Sequence, residues 1–362
     1  MNTHDFLRTE LLQWFDDHRR ILPWRTTRTP YSTWISETML QQTRVTTVIP
    51  YFLRFMEDFP NIEKLAAAPL EVVYKNWEGL GYYSRARNLH KGAMYCMENH
   101  RGALPFTMEA LLKVPGIGPY TAGAIASMAY NLPVPAVDGN VIRVFSRFFG
   151  LYITPQDTEG KKEIHRIISS LLPKERAGDF NEAIMDFGAT VCTPGTPNCG
   201  NCLLSSHCEA LKLNLQNTLP LKKEKKPRPS FPLTILIFRK GEAIYVQKRP
   251  DTGLLSGLYE FISVPGKIKN SELSSFLFEV FSLSQEKKRH MQFLGESFHI
   301  FTHLRWEMAG YLIDIAEDEN LPFSFFVDGE EKERNGSFVS PETAKKFAFP
   351  SALKTYVQAI FP

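Results

Sequence analysis

The sequence has 362 residues, 42 Lys plus Arg against 39 Asp plus Glu, and 43% hydrophobic side chains. The length suggests two domains, and the apolar content excludes a disordered chain. A net charge of +3 is mildly basic, compatible with a nucleic-acid partner without establishing one. No apolar run reaches the length of a membrane span. The opening Met1-Asn-Thr-His-Asp-Phe lacks the basic-then-apolar pattern of a secretory signal. The expectation is therefore a protein of the cytoplasm with no membrane partner. Of five cysteines, four fall between 192 and 208, which favours an intracellular metal site over disulfides.

In chain order, residues 3–19 carry Leu7, Leu11, Trp14 and Phe15 at helical spacing, and Leu22-Pro-Trp24-Arg25 breaks the pattern. A second helix-like run follows, Pro30-Tyr-Ser-Thr-Trp-Ile-Ser-Glu37-Thr-Met-Leu-Gln-Gln42-Thr43-Arg44. Residues 45–102 read as two or three further helices, with Gly79-Leu-Gly-Tyr82-Tyr83 as a turn. Arg85, Arg87 and Lys91 then form either a solvated face or a set of phosphate contacts.

Leu111-Leu-Lys-Val-Pro-Gly116-Ile-Gly118-Pro119-Tyr120 reads as helix, tight hairpin, helix. Glycines flanking Ile117 let the backbone turn sharply and approach a ligand. Pro119 suits the first position of a helix. Hairpin amides and a helix N-terminus pointing outward make a ready phosphate site. Asp138, followed by Gly139 and Asn140, comes after an apolar run that would hold it firmly. Residues 141–149, 161–172 and 180–189 look helical, the last carrying Glu182.

Then comes Cys192-x6-Cys199-x2-Cys202-x5-Cys208, a compact metal loop whose spacing alone leaves zinc and iron–sulfur both open. Cys96 stands apart, a small buried hydrophobe. Proline and lysine density marks residues 216–230 as an extended linker. Leu233–Phe238 and Ala243–Gln247 read as a hairpin around Lys240-Gly241. Gly257-Leu-Tyr-Glu-Phe261 lies beyond it, and His299-Ile-Phe301-Thr302-His303-Leu304 further on.

The hairpin with Asp138 resembles the helix-hairpin-helix DNA glycosylases of the endonuclease III superfamily. Trp34-Ile-Ser-Glu-Thr-Met-Leu-Gln-Gln-Thr43 resembles the signature of the MutY-type adenine glycosylases within it. The resemblance implies a mainly α N-terminal helix-hairpin-helix region with an iron–sulfur loop (1–215), the linker (216–230), and an α+β Nudix/MutT-like C-terminal domain (231–362). It implies one structural 4Fe-4S cluster on Cys192, Cys199, Cys202 and Cys208, and no nucleotide cofactor.

The implied substrate is double-stranded DNA carrying adenine opposite 8-oxoguanine or guanine, bound by a monomer, in a bacterial cytoplasm at the nucleoid. Glu37 becomes the catalytic acid, Asp138 the anion beside the sugar, and Asn140 the residue that orients it. Trp24, Arg25 and Glu182 meet the adenine. Gln42, Thr43, Tyr82, Gly116 and Gly118 contact DNA, with Gln42 and Tyr82 as wedges. Phe301, Thr302 and His303 match a Phe-Ser-His element that reads 8-oxoguanine, with Thr in place of Ser.

Strand-cutting relatives hold a lysine at position 120, where an amine forms a Schiff base. Tyr120 cannot, so a monofunctional glycosylase is expected. The Nudix-box acids that hold a divalent metal are missing after Phe261, so the C-terminal domain is expected to read rather than hydrolyse. The rival readings are a bifunctional pyrimidine-lesion glycosylase with lyase activity, and a non-catalytic DNA-binding protein.

Overall fold

The computed structural model describes residues 2–154, 157–222, 227–285, 289–327, 330–333 and 335–361. Lys223, Glu224, Lys225 and Lys226 of the expected basic linker lie outside them.

The helices run α1 (Thr3–His18), α2 (Pro23–Thr26), α3 (Pro30–Leu40), α4 (Val45–Asp58), α5 (Ile62–Ala67), α6 (Leu70–Trp77), α7 (Ser84–His100), α8 (Met108–Leu111), α9 (Pro119–Ala124), α10 (Gly139–Phe148), α11 (Thr158–Leu171), α12 (Ala177–Thr190), α13 (Glu209–Lys212), α14 (Leu273–Phe281), α15 (Pro341–Ala344) and α16 (Lys354–Ile360). Residues 45–102 thus hold four helices rather than two or three. The extra breaks fall at Pro60 and Pro69, where Asn61 caps α5 and Pro69 precedes α6. A six-residue helix is too short for periodicity to reveal.

The chain divides into two compact units. The first comprises residues 1–68 and 87–225. Its core is built by α1, α10, α11 and α12, around Leu7, Leu11, Phe15, Val141, Phe145, Ile164, Ile168, Phe180, Ile184 and Phe187. α12 is buried nearly all round, which fits its place at the centre. α9 continues into a π-helical turn, Ile125–Ala129, on which α12 packs closely. A Cβ on Gly178 would lie 2.6 Å from the Ser127 carbonyl oxygen.

The second unit comprises residues 69–86 and 226–362. Its strands are β1 (Ser230–Lys240), β2 (Ala243–Lys248), β3 (Tyr259–Glu260), β4 (Ile262–Pro265), β5 (Met291–Ile300), β6 (Arg305–Asp314), β7 (Ser324–Val327), β8 (Glu330–Glu333) and β9 (Gly336–Val339). The main sheet has the order β3-β2-β1-β6-β5, with β4 also on β1 and β9 on β2. β1 and β6 are parallel and the other pairs antiparallel. β1 is buried on both faces. Leu236 and Phe238 join the core beneath α14, while Ile235 and Ile237 face Tyr356 and Leu353 around α16. That double burial explains its near-continuous apolar run.

Residues 69–86 fold onto this sheet domain although they precede it by about 150 positions. Tyr74 donates to the Ser256 carbonyl (3.5 Å), Lys75 to the Phe347 carbonyl (3.1 Å) and Tyr83 to the Phe349 carbonyl (3.2 Å). The Phe349 amide donates to Glu78 (3.0 Å), and Lys248 pairs with Glu71 (2.7 Å). Arg85 is neither a solvated nor a phosphate-facing residue. It is buried, donates to the Leu80 and Gly81 carbonyls, and lies over the Trp77 ring.

Candidate active site

A cleft of about 890 Å³ opens in the first unit. Trp24 and Arg25 line it from α2 with Leu22 just before it, Glu37 and Leu40 from α3, Gln41 to Arg44 from the turn after α3, and Val45 and Thr46 from the start of α4. Tyr120, Asp138, Asn140, Glu182, Met185 and Asp186 are among the residues that line the rest of it. Eleven of the residues expected to form the site belong to this unit's cleft or its hairpin. Tyr82, Phe301, Thr302 and His303 belong to the other unit.

Glu37 sits on α3, which starts from a capping box. Thr29 accepts from the Ser32 amide and Ser32 accepts from the Thr29 amide. Tyr31 to Met39 are all buried, so Glu37 is carried inward by an apolar helix, and it is only 6% exposed. Burial pushes its carboxyl up to about 7, with Glu182 and Asp138 adding repulsion and Tyr120 and Arg25 pulling the other way. The Tyr120 hydroxyl donates to Glu37 Oε2 and lies 3.8 Å from Met185 Sδ.

Asp138 is the N-cap of α10. It accepts from the Val141 amide at 2.8 Å and from Asn140 Nδ2 at 2.7 Å. Burial raises its carboxyl above the ordinary range against those hydrogen bonds and the Arg143 charge. Arg143 in turn donates to Asn140 Oδ1 (2.8 Å), the Gly188 carbonyl (2.6 Å) and the Cys192 carbonyl (2.7 Å). A hydrogen-bonded chain therefore runs from Asp138 through Asn140 and Arg143 to the cysteine loop.

Glu182 and Asp186 lie one turn apart on α12 and are nearly solvent-free. Arg25 Nε donates to Glu182 Oε1 (3.0 Å) and Arg28 Nη2 to Glu182 Oε2 (2.6 Å). Arg25 also reaches Asp186 (2.7 Å), which pairs with Arg20 as well. Burial alone would raise Asp186. Arg25 and Arg20 outweigh it and hold the carboxyl below its usual range. Sequence reading found Glu182 and Arg25 but missed Arg20, Arg28, Asp186, Met185 and Arg143. The available signal was two acids at i and i+4 among the apolar residues Phe180, Ala183, Ile184 and Phe187, a setting that offers little solvated face to receive them. Trp24 is buried and meets Phe52 edge-on at 5.4 Å between centroids.

At the mouth, Gln42 is exposed with φ 58°, a strained backbone for a side chain with a Cβ. Thr43 follows it in the lining. In the hairpin, Gly116 has φ 84° while Gly118 has φ −88° and open space at its Cβ position. Gly116 is thus required by the turn. Gly118 leaves the surface clear for something to come close.

Cys192, Cys199, Cys202 and Cys208 surround one small pocket, with Arg147 and Gln216 beside them. Arg147 Nη1 lies 3.3 Å from Cys192 Sγ, and Gln216 Oε1 is buried without a hydrogen-bond partner. The sulfurs ring the pocket: among the described residues, no three Cys, His, Asp or Glu close on a single-ion geometry. Cys96 is fully buried elsewhere.

In the second unit, Phe301, Thr302 and His303 form the turn between β5 and β6. Phe301 packs edge-on against Trp306 (4.9 Å) and His299 (4.6 Å). Tyr82, with φ 49°, places its hydroxyl 3.1 Å from Thr302 Oγ1. Glu260, which follows the Gly257-Leu-Tyr run, is paired with Arg249.

Residues 35–174 match the HhH-GPD superfamily of base excision DNA repair proteins, and residues 233–359 match the NUDIX domain. An adenine DNA glycosylase of Mus musculus is 36% identical, over 87% of this chain and 72% of its own. One from Buchnera aphidicola is 36% identical over 84% of both. The chain belongs to the adenine DNA glycosylases. One of these enzymes, from Arabidopsis thaliana, is 38% identical over 83% of this chain, which spans only 55% of that longer protein. Among solved structures, a thermostable thymine-DNA glycosylase superposes with a TM-score of 0.54 at 28% identity, covering 58% of this chain and 97% of its own. An endonuclease III in a non-covalent complex with DNA gives 0.52 at 25%, covering 60% and 100%. The helical region therefore has the endonuclease III fold, and the glycosylase carries a Nudix-like α+β domain after it. Among its described residues, no helix is long and apolar enough to cross a membrane.

Proposed function

We propose that the protein hydrolyses the N-glycosidic bond of adenine opposite 8-oxoguanine or guanine in double-stranded DNA, leaving an abasic site uncut. The observation that carries this reading is the pairing, in one cleft, of Glu37, held protonated near neutral pH, with Asp138 at a helix N-terminus.

A glycosidic bond within a duplex is out of reach, so the nucleotide must leave the stack. Gln42, already in a strained outward conformation at the cleft mouth, fills the vacated space, and Tyr82 serves likewise. Adenine leaves poorly as an anion. A protonated Glu37 gives its proton to N7 and the base departs neutral. The sugar approaches an oxocarbenium ion. Asp138 is an anion held against the cost of burial, so it gains most when positive charge develops beside it. Asn140 keeps its carboxylate turned toward the sugar. Arg25 and Glu182 meet the base edge over the buried Trp24. Tyr120 stands where a lyase would need an amine and supplies only a hydroxyl to Glu37.

Cys192, Cys199, Cys202 and Cys208 would hold one 4Fe-4S cluster. The donor set of four thiols and the Arg147 guanidinium against a sulfur suit an anionic cluster at that pocket. When bound, it braces the loop and takes no part in bond cleavage. The hairpin at Gly116–Gly118 receives a DNA phosphate. The Phe301-Thr302-His303 turn reads the 8-oxoguanine. We assign the enzyme to the bacterial cytoplasm, at the nucleoid, acting as a monomer.

The test is a single-turnover assay on duplexes with adenine opposite 8-oxoguanine, guanine or thymine, each quenched with and without alkali. Breaks only after alkali, fastest with 8-oxoguanine and absent with thymine, are expected. Breaks without alkali would reveal an amine acting as a lyase and overturn the monofunctional assignment.

A further inference from the structure

Arg28 lies in the short connection between α2 and α3, where the Thr29–Ser32 capping box fixes the backbone. It is the second guanidinium on Glu182. Arg25 holds Oε1 and Arg28 holds Oε2, so the carboxylate plane is pinned from both sides. Arg25 is committed elsewhere too, because the same guanidinium binds both oxygens of Asp186. Arg28 is the clamp that serves Glu182 without serving Asp186. Its other hydrogen bond goes to the Met128 carbonyl at 3.4 Å, which ties it to the π-helical turn after α9.

The surroundings make that clamp consequential. Glu182 acts through its charge on Glu37 of α3 and on Tyr120 of α9. A carboxylate free to rotate there could turn away from the base. It could equally turn toward Glu37, whose proton the reaction needs. A pinned carboxylate is an acceptor with a fixed direction. Such a group rewards a base that presents an N–H, as adenine does with its exocyclic amino group.

We propose that Arg28 is a positioning residue for adenine selectivity: by fixing Glu182 Oε2, it aims the carboxylate at the amino group of the extruded base. This rests on the reading of Glu182 as the residue that meets the adenine edge. Arg28 also lines a second cavity, of about 320 Å³, shared with Arg19, Arg20, Arg25 and Glu182. A small cation from solvent can therefore reach the place that its guanidinium vacates.

The experiment compares single-turnover excision of adenine and of unsubstituted purine, which lacks the amino group, opposite 8-oxoguanine. Arg28→Ala is expected to slow adenine excision about tenfold and leave purine excision unchanged. In a Glu182→Ala background the same substitution is expected to cost nothing further. Added guanidinium at millimolar concentration should restore the adenine rate of Arg28→Ala alone. Equal slowing of both bases, or an undiminished loss in the Glu182→Ala background, would overturn the proposal. Should Arg28→Ala lose its fold, Arg28→Lys carries the same comparison. It keeps the charge but not the fork, and its adenine-to-purine ratio should fall below that of the wild type. Failure of the wild-type protein to excise adenine would instead sink the functional assignment.

Discussion

The Tyr120 hydroxyl and the Glu37 carboxylate are 83 residues apart in the chain and hydrogen-bonded in the cleft. The bond favours the ionised form of Glu37 and so opposes the effect of burial, which places the group at about 7. Only the protonated form can act as the acid, so the excision rate should fall as pH rises through about 7. Tyr120→Phe removes the opposing bond, and the falling limb of the single-turnover pH profile should move upward. A limb that stays in place would show that the hydroxyl does not govern the ionisation of Glu37.

Glu37 also has a cost in stability. Its folded value of about 7 lies well above the ~4.3 of an unfolded glutamate. Between those limits the folded state binds the extra proton, so stability is lost as pH rises from about 4.5 to 7. The full loss is on the order of 3 kcal/mol above neutrality. Glu37→Gln should therefore melt higher than wild type at pH 8, match it near pH 4, and excise no adenine. Equal melting temperatures at pH 8 would show that the carboxyl is better solvated than its burial indicates.

Much of this was legible because local patterns carry it. The Trp-Ile-Ser-Glu run, the Pro-Gly-Ile-Gly hairpin, Asp138-Gly-Asn140 and the four cysteines each sit within a few residues. The β1–β2 hairpin showed in its turn residues, and α10, α11 and α12 in their apolar spacing. What stayed hidden depends on long-range pairing. Arg20 and Arg28 look like solvated charges until α12 brings Asp186 and Glu182 beneath them. Glu71, Tyr74 and Lys75 read as an ordinary amphipathic helix, and nothing local says that their partners are Lys248, Ser256 and Phe347.

The chain from Asp138 through Asn140 to Arg143 predicts graded losses. Asn140→Ala removes a hydrogen bond to a buried carboxylate, worth about 1.5–3 kcal/mol, or roughly 10–100-fold in rate. Arg143→Gln breaks contacts to Asn140 and to the Cys192 carbonyl together. It should lower both the excision rate and the iron content measured on purified protein. Asn140→Ala should lower the rate alone. Iron loss in both variants would mean that Asn140 supports the fold rather than Asp138.

Tyr82 and Thr302 share a hydroxyl–hydroxyl contact of 3.1 Å within the second unit. Thr302→Val keeps the shape and removes the hydroxyl. The preference for adenine opposite 8-oxoguanine over adenine opposite guanine should shrink, because Tyr82 loses its anchor beside the turn proposed to read 8-oxoguanine. Tyr82→Phe should shrink it by a similar factor, and the double variant by no more than either single one. Additive losses would mean that the two hydroxyls act separately.

The two hairpin glycines separate folding from binding. At Gly116 the backbone has φ 84°, and an added Cβ would stand 2.9 Å from the Asn88 Cβ. Gly116→Ala should therefore destabilise the protein by about 1–3 kcal/mol through backbone strain and overlap. At Gly118 φ is −88° and the added methyl meets nothing. Gly118→Ala should melt like wild type yet bind duplex DNA more weakly, because the methyl occupies the space a phosphate needs. The measurements are a melting temperature and a titration with abasic-site duplex at fixed salt. Unchanged DNA affinity in Gly118→Ala would move the phosphate contact away from this turn. A lowered melting temperature there would show that Gly118, too, serves the fold.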